Sequence, residues 1–452
     1  MAQVDKSHPG LKVKKLLCVT ADNRNKYYNM FEQPNGTFIG AYGRVDGNES
    51  YTTKPMREWD KVYREKTERK VEPYTDKTDL YIGESKTVTT GGKKNEVFSP
   101  KRAAEAVGFI KDLMSHAGQF TQANYNVQVT AVTKAQVEAA QRQLNKLTDL
   151  AKVGSKVDDF NQALLDLWMI IPRKMKNTKF HLIMDPATRI INDGLLNRNG
   201  EPGQSKDDVG TKQGVNQILV LEQDTLDVMA GQVNANLAEQ QDAPTGSNKD
   251  LLDTLGLDCE IVTNQSEIEM IKKKMDQNAK NSGDQQSHRF LRAFRVSNKK
   301  TDFDFEKHIS GVKNKGHELL WHGSRNENWW SIIQSRLMIR PTNAVITGKM
   351  FGYGIYFADK AVKSIGYTSG GYYAGGRGNG KGYLALYDIH KGNQYEVTNH
   401  KSEHSSLDWN KLQKYGPYDS LFAKGGADLR NNEYIVYQEP QCTLRYIVEF
   451  RA

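Results

Sequence analysis

Apolar positions along the chain change their period twice, and the changes mark three stretches. Between residues 11 and 83 short apolar runs alternate with turn signals. Leu16-Leu17-Cys18-Val19 and Thr37-Phe38-Ile39 have strand character, and Pro34-Asn35-Gly36 and Asp46-Gly47 separate such runs. Pro55-Met56-Arg57 then opens a predicted helix that brings Trp59, Val62 and Tyr63 to one face. Its other faces carry Arg57, Lys61, Arg64, Lys66, Arg69 and Lys70, a set that suits either a solvated surface or a polyanion.

Residues 84–98 are polar and rich in Gly and Lys, so they read as a linker. Ser99-Pro100 predicts a helix start, and helical periodicity then dominates to about residue 255. Val107, Ile110, Leu113 and Met114 make one stripe. Thr133 and Gln136 have capping-box spacing ahead of Val137, Ala140, Leu144 and Leu147. Phe160, Leu164, Leu167, Trp168 and Ile171 make a third stripe, ended by Pro172. Such stripes are the core faces of a helical bundle. Residues 194–214 read as a Gly/Asn/Asp-rich loop, 215–241 as a further helix and 242–249 as a second break. From about 257 onward short β-type runs prevail: Glu260-Ile261-Val262, Arg289 to Val296, Leu384 to Ile389, Tyr434 to Tyr437 and Leu444 to Phe450.

The chain has 452 residues, room for two to four domains. Sixty-three Lys+Arg against 54 Asp+Glu leave a net charge of +9, a balance that favours polyanion partners and says nothing about fold. Cys18, Cys259 and Cys442 lie far apart with no C-x-x-C pair, so neither a zinc finger nor a disulfide framework is indicated, and no metal is expected. No apolar segment opens the chain and no run of eighteen apolar residues follows, so a soluble intracellular protein without a membrane partner is expected.

Three C-terminal segments carry chemistry together. They are Leu319-Leu320-Trp321-His322-Gly323-Ser324-Arg325; Gly348 to Asp359, followed by Lys363-Ser364 and Tyr367; and Asn432-Glu433-Tyr434-Ile435-Val436-Tyr437. In order, flanking residues and separation they resemble the catalytic domain of the poly(ADP-ribose) polymerases, ADP-ribosyltransferases with a His-Tyr-Glu triad. Cleaving the nicotinamide–ribose bond of NAD builds positive charge on the ribose, so the enzyme needs a fixed nicotinamide and a nearby carboxylate. The resemblance implies catalytic roles for Glu433, His322 and Tyr356. It implies NAD contacts from His322, Gly323, Ser324, Tyr356, Ser364, Tyr367 and Arg340, and acceptor-side positions for Lys363 and Met350. NAD enters as substrate. Lys349, Met338 and Asn431 depart from residues frequent in the family's DNA-dependent members. Gly375 to Lys381 fits G-x-x-x-x-G-K, but Gly382 replaces the Ser/Thr of a P-loop and a strand-like run follows, so it carries no phosphate-site expectation.

The N-terminal segment resembles the WGR domain of the same enzymes through Tyr42-Gly43-Arg44-Val45, with tyrosine in place of the tryptophan, and through Trp59 and Tyr63 to Thr67. DNA contacts are then expected from Tyr42, Arg44, Lys61, Arg64 and Lys66, with cations on phosphates and an aromatic ring against sugar or base. The helical block, clearest from Leu144 to Pro172, resembles the family's regulatory helical domain.

The expected architecture is a multidomain α+β chain. Residues 1–83 form a small mixed β-sheet WGR-like domain, 84–98 a linker, and 99–255 an all-α regulatory bundle. Residues 256–452 form a β-rich transferase domain of two packed sheets. The expected function is DNA-break-stimulated poly(ADP-ribosyl)ation of acceptor proteins, the enzyme itself included. Mono(ADP-ribosyl) transfer and DNA-end binding by an inactive transferase fold are the alternatives. A monomer is expected, nuclear in a eukaryote and cytoplasmic otherwise.

Overall fold

A computed structural model of the chain describes residues 8, 10–45, 47–81, 98–127, 132–152, 155–175, 177–183, 189–191, 194–196, 215–241, 250–339, 350–371 and 380–452. The chain forms two compact units, Met1–Thr90 with Thr121–Val233, and Gly91–Phe120 with Asn234–Ala452. In chain order the elements are β1 (Val13–Val19), β2 (Asn25–Glu32), β3 (Thr37–Arg44), β4 (Ser50–Pro55), α1 (Trp59–Thr67), β5 (Thr75–Asp76), α2 (Thr78–Tyr81), α3 (Ala104–Asn124), α4 (Lys134–Lys152), α5 (Val157–Ile170), β6 (Arg189–Ile191), β7 (Gly194–Leu196) and α6 (Val215–Gln241). Then come α7 (Leu251–Thr254), β8 (Leu257–Ile261), α8 (Gln265–Asp276), β9 (Phe290–Asn298), α9 (Lys299–Gly311), β10 (His317–Gly323), α10 (Trp329–Ser335), β11 (Ile355–Phe357), α11 (Ala361–Ile365), β12 (Lys381–His390), β13 (Gln394–Val397), α12 (Trp409–Leu412), β14 (Ser420–Ala423), β15 (Glu433–Val436) and β16 (Cys442–Arg451).

In the first unit, five strands form a sheet in the order β4-β3-β2-β1-β5. A mixed sheet was expected there, but every pairing is antiparallel, because β1 to β4 follow one another as hairpins and β5 returns against β1. Leu16, Cys18, Tyr28, Met30 and Phe38 meet Trp59 and Val62 of α1 in one core, with Tyr63 packed against it. The predicted apolar face of α1 is therefore the one that is buried. Met56–Glu58 form a 3₁₀ turn, and the α-helix itself starts at Trp59.

The capping box ahead of α4 forms as its spacing implies. The Gln136 amide N–H donates to Thr133 Oγ1 at 3.1 Å, and Thr133 N–H donates to Gln136 Oε1 at 2.9 Å. Thr133 Oγ1 also donates to the Leu80 carbonyl at 2.8 Å. Thr133→Ala removes both bonds and is expected to destabilise the first unit by about 1 kcal/mol, read as a lower urea midpoint with an unchanged slope. Phe160, Leu164, Leu167 and Trp168 of α5 are buried, as is Ile171 just before Pro172. Within the predicted loop 194–214, Gly194–Leu196 pairs with Arg189–Ile191 as a small hairpin. Residues 197–214 lie outside the described residues, as do 82–83, residues 84–97 of the linker and 242–249 of the second break.

In the second unit, Ser99-Pro100 does not start the helix. The Ser99 N–H donates to Asp250 Oδ2 at 2.7 Å, and the Arg102 N–H closes a turn on the Ser99 carbonyl, so α3 begins at Ala104. The buried stripe on its first part is Ala106, Phe109, Ile110, Leu113 and Ala117, with Val107 and Met114 at its margins. Phe109 stacks on Phe294 of β9 at 4.1 Å.

Two sheets follow: five strands ordered β10-β12-β16-β9-β8, and four ordered β11-β15-β14-β13. β12 is covered on both faces, which explains its continuous apolar run. Leu384 and Leu386 pack with Ile271 and Met275 of α8 and Ala361 and Ile365 of α11, while Tyr383, Ala385 and Tyr387 are buried on the other side. The sheets meet where edge strand β10 approaches edge strand β11: Trp321 and Ala358 exchange both backbone hydrogen bonds, at 2.8 and 3.0 Å. No described helix is long and apolar enough to cross a membrane.

Candidate active site

The three chemistry-bearing segments converge on that junction. β10 ends on His322-Gly323, β11 carries Tyr356, and β15, which pairs with β11, starts at Glu433. α11 follows shortly after β11 and supplies Lys363 and Ser364.

His322 Nδ1 donates to the Tyr356 carbonyl at 3.0 Å; a carbonyl only accepts, so that nitrogen holds a proton and Nε2 is left to face other partners. Trp329, Phe357 and Tyr387 surround the imidazole at ring separations of 6.4, 5.7 and 6.0 Å and fix its plane. The Tyr356 hydroxyl donates to the Gly352 carbonyl at 2.9 Å and accepts from the Phe351 N–H at 3.1 Å. Gly352 has φ +72°, and a Cβ there would lie 2.1 Å from the Leu407 carbonyl oxygen, so this turn requires glycine. Burial pushes the Tyr356 phenol well above its usual range; the Phe351 N–H opposes this, and Glu433 and Tyr367 add to the rise. It stays protonated at any working pH.

Glu433 is buried, 8% exposed, and its Oε1 lies 2.7 Å from Lys363 Nζ. The ammonium also donates to the carbonyls of Asn431 and Asn432, each at 3.2 Å, so all three N–H groups have partners. Burial pulls the Lys363 pKa down, and Glu433 opposes that shift. Gly323 is approached so closely by α11 that a Cβ would sit 1.8 Å from the Ser364 carbonyl oxygen. Ser364 Oγ donates to the Trp321 carbonyl at 3.1 Å, and Ser324 Oγ accepts from Asn328 Nδ2 at 3.1 Å. Tyr367, just past α11, is exposed.

Met350 packs against the buried cluster of Phe351, Leu407 and Leu421, on which Tyr356 also packs. Arg340 and Lys349 lie outside the described residues. Sequence reasoning also passed over Asp359 and Asn432 as site residues. Asn432 Nδ2 donates to Asp359 Oδ2 at 2.8 Å immediately before Glu433. A side-chain pair 73 residues apart leaves no periodic trace that could have revealed it.

Of the expected DNA contacts in the first unit, Tyr42 is exposed and stacks on Tyr28 at 5.6 Å, and Lys66 Nζ lies over the Tyr28 ring at 4.3 Å. These three form one cluster. Burial lowers the Lys66 pKa, with Arg69 adding to the effect. Arg44 Nη1 donates to the Asn23 carbonyl at 3.0 Å, whereas Lys61 and Arg64 lie on the exposed side of α1, near Glu65 and the Asp60 carbonyl.

A carboxylate held by an ammonium, beside an imidazole fixed through Nδ1 and a protonated phenol, can stabilise positive charge developing on a sugar carbon. With the two-sheet fold, this defines the ADP-ribosyltransferase class, whose substrate is NAD. Comparison with known proteins narrows it further. The family model of the Poly(ADP-ribose) polymerase catalytic domain matches residues 265–452. A putative poly [ADP-ribose] polymerase-like protein, 100L, of Invertebrate iridescent virus 6 is 34% identical over 167 residues, covering 36% of this chain and 87% of that protein. Uncharacterized protein 101L of the same virus is 31% identical over 207 residues, covering 45% and 82%. Poly [ADP-ribose] polymerase 2 of Homo sapiens is 35% identical over 155 residues, covering 29% of this chain and 26% of that protein. The chain belongs to the poly(ADP-ribose) polymerase family and is an ADP-ribosyltransferase.

Proposed function

We propose that the chain transfers ADP-ribose from NAD to protein side chains, its own included, extends it to poly(ADP-ribose), and is stimulated by broken DNA. The observation that carries the chemistry is the meeting of His322, Tyr356, Lys363 and Glu433 at the β10–β11 junction. The Gly323 backbone and the Ser324 hydroxyl hold the nicotinamide amide, with Asn328 orienting Ser324. His322 accepts from a ribose hydroxyl, and Tyr367 and Tyr356 flank the pyridine ring. Glu433 binds the nicotinamide-ribose 2′-hydroxyl and stabilises the oxocarbenium-like state as nicotinamide leaves. Lys363 holds that carboxylate in place on the acceptor side.

The DNA role falls to residues 1–83, as a WGR-like domain, with residues 99–255 as the regulatory helical domain. Its support is the exposed Tyr42 ring stacked on Tyr28 beside Lys66, an aromatic platform next to a cation. Labelled NAD is incubated with the protein, with and without nicked or blunt-ended DNA, and the products are sized on a gel. A DNA-dependent ladder is expected. A single short adduct indicates mono(ADP-ribosyl) transfer, equal labelling without DNA rules out stimulation, and no labelled product sinks the reading. Lys66→Ala and Arg44→Ala are each expected to weaken DNA binding and to flatten its logarithmic salt dependence by about one unit.

A further inference from the structure

Asp359 is 4% exposed and lies two residues beyond β11, yet none of the roles assigned so far uses it. Its Oδ2 accepts from Asn432 Nδ2 and from Asn278 Nδ2, each at 2.8 Å, while its Oδ1 has no hydrogen-bond partner among the described residues. A buried carboxylate with one oxygen unmatched costs stability, so its presence calls for a compensating role.

The bonds run in one direction. Asn432 is gripped at both ends of its amide: Nδ2 donates to Asp359, and Oδ1 accepts from the Gly425 N–H at 2.8 Å. That fixes the orientation of its side chain and holds the backbone on either side. The backbone carbonyls of Asn431 and Asn432 are two of the three acceptors of Lys363, and the third is Glu433 itself. Asp359 is anchored in turn, because the neighbouring Ala358 exchanges backbone hydrogen bonds with Trp321 on β10, next to His322. One carboxylate thus joins the strand end that bears His322 to the segment that delivers Glu433.

We propose that Asp359 is a positioning residue of the transferase site: by clamping Asn432 it sets the backbone leading into Glu433 and the carbonyls that seat Lys363. The inference rests on Glu433 being the catalytic carboxylate. It has an electrostatic side as well. The groups acting on Lys363 are Glu433 from β15 and Asp359 from the β11–α11 turn, and both favour the charged ammonium against the effect of burial. Removing the Asp359 charge therefore lets Lys363 lose its proton at lower pH.

The test uses the full chain and measures nicotinamide release against NAD concentration, from neutral to strongly alkaline pH. Asp359→Asn keeps the shape and removes the charge. The expected result is a kcat lower by roughly 10–100-fold at a near-wild-type KM, the scale of a small misplacement at a reacting centre. The alkaline limb of the kcat profile is expected to move to lower pH, and Asp359→Glu to restore part of it. If kcat, KM and thermal midpoint fall together while the limb stays put, Asp359 is merely structural and the proposal is overturned. Glu433→Gln separates the two ideas. Should it lose turnover while Asp359→Asn keeps wild-type kcat and profile, only the Asp359 role fails; should it keep turnover, the reading of Glu433 fails. If Asp359→Asn does not fold, Asn432→Ala breaks the same link. A lowered kcat at constant KM supports the proposal there, and wild-type kcat overturns it.

Discussion

Glu433→Gln is expected to lower nicotinamide release by at least ~10²–10⁴-fold, the usual contribution of a positioned acid–base group, while NAD still binds. The substitution keeps the volume of a residue that is only 8% exposed, so the fold has little reason to collapse. What disappears is the charge. As the nicotinamide–ribose bond stretches, positive charge grows on the sugar, and a neutral amide in place of the carboxylate no longer lowers the energy of that state. The ground state feels the change less, because the contacts assigned to the nicotinamide ring belong to other residues and a glutamine can still hydrogen-bond the 2′-hydroxyl. The loss should therefore fall on kcat, with KM nearly unmoved. A second consequence follows at Lys363, which the carboxylate partner at 2.7 Å keeps charged against burial. In Glu433→Gln the Lys363 pKa should fall further, so the variant's stability should respond to pH where the wild type's does not. Stopped assays for free nicotinamide and equilibrium NAD binding together check this. Wild-type turnover in the variant would remove Glu433 from the mechanism.

The candidate site was legible through resemblance, because the three segments repeat the order and spacing of a known family, and each segment lies on or beside a strand-forming run. His322 and Gly323 close the run that becomes β10, Tyr356 sits within Ile355–Phe357, and Glu433 opens Glu433–Val436. Order and spacing along the chain carried these. The capping box at Thr133 and Gln136 was legible from its own spacing, both partners lying within one helical turn. What sequence could not show is where distant groups claim a local signal. Ser99-Pro100 has every mark of a helix start, but Asp250, 151 positions away, takes the Ser99 N–H and turns the chain. Phe109 outranks Val107 on α3 only because Phe294 of β9 waits 4.1 Å from its ring. Asp359 and Asn278 are 81 positions apart, and nothing in periodicity or composition pairs an amide with a carboxylate over that distance.

The second large effect is expected from Gly323→Ala, which adds one methyl group and changes no charge. The glycine is needed here for space. A Cβ would fall 1.8 Å from the Ser364 carbonyl oxygen and 2.7 Å from its carbonyl carbon, both backbone atoms of a buried helix. No side-chain rotation relieves that contact, so α11 must shift away from β10. The shift carries everything α11 holds. Lys363 moves relative to Glu433 and the Asn431 and Asn432 carbonyls, Ser364 loses its 3.1 Å bond to the Trp321 carbonyl, and Tyr367 moves with the helix end. A displacement of about 1 Å at a reacting centre costs on the order of 100-fold. Because the nicotinamide grip and the carboxylate seat are disturbed together, KM for NAD should rise and kcat should fall in the same variant. That pattern differs from Glu433→Gln, where kcat alone suffers. Ser324→Ala is the companion measurement: it removes one hydroxyl beside the same glycine without moving α11, so it should raise KM and leave the pH profile of kcat in place. A Gly323→Ala enzyme with wild-type KM and kcat would mean that β10 and α11 are not held against each other as described.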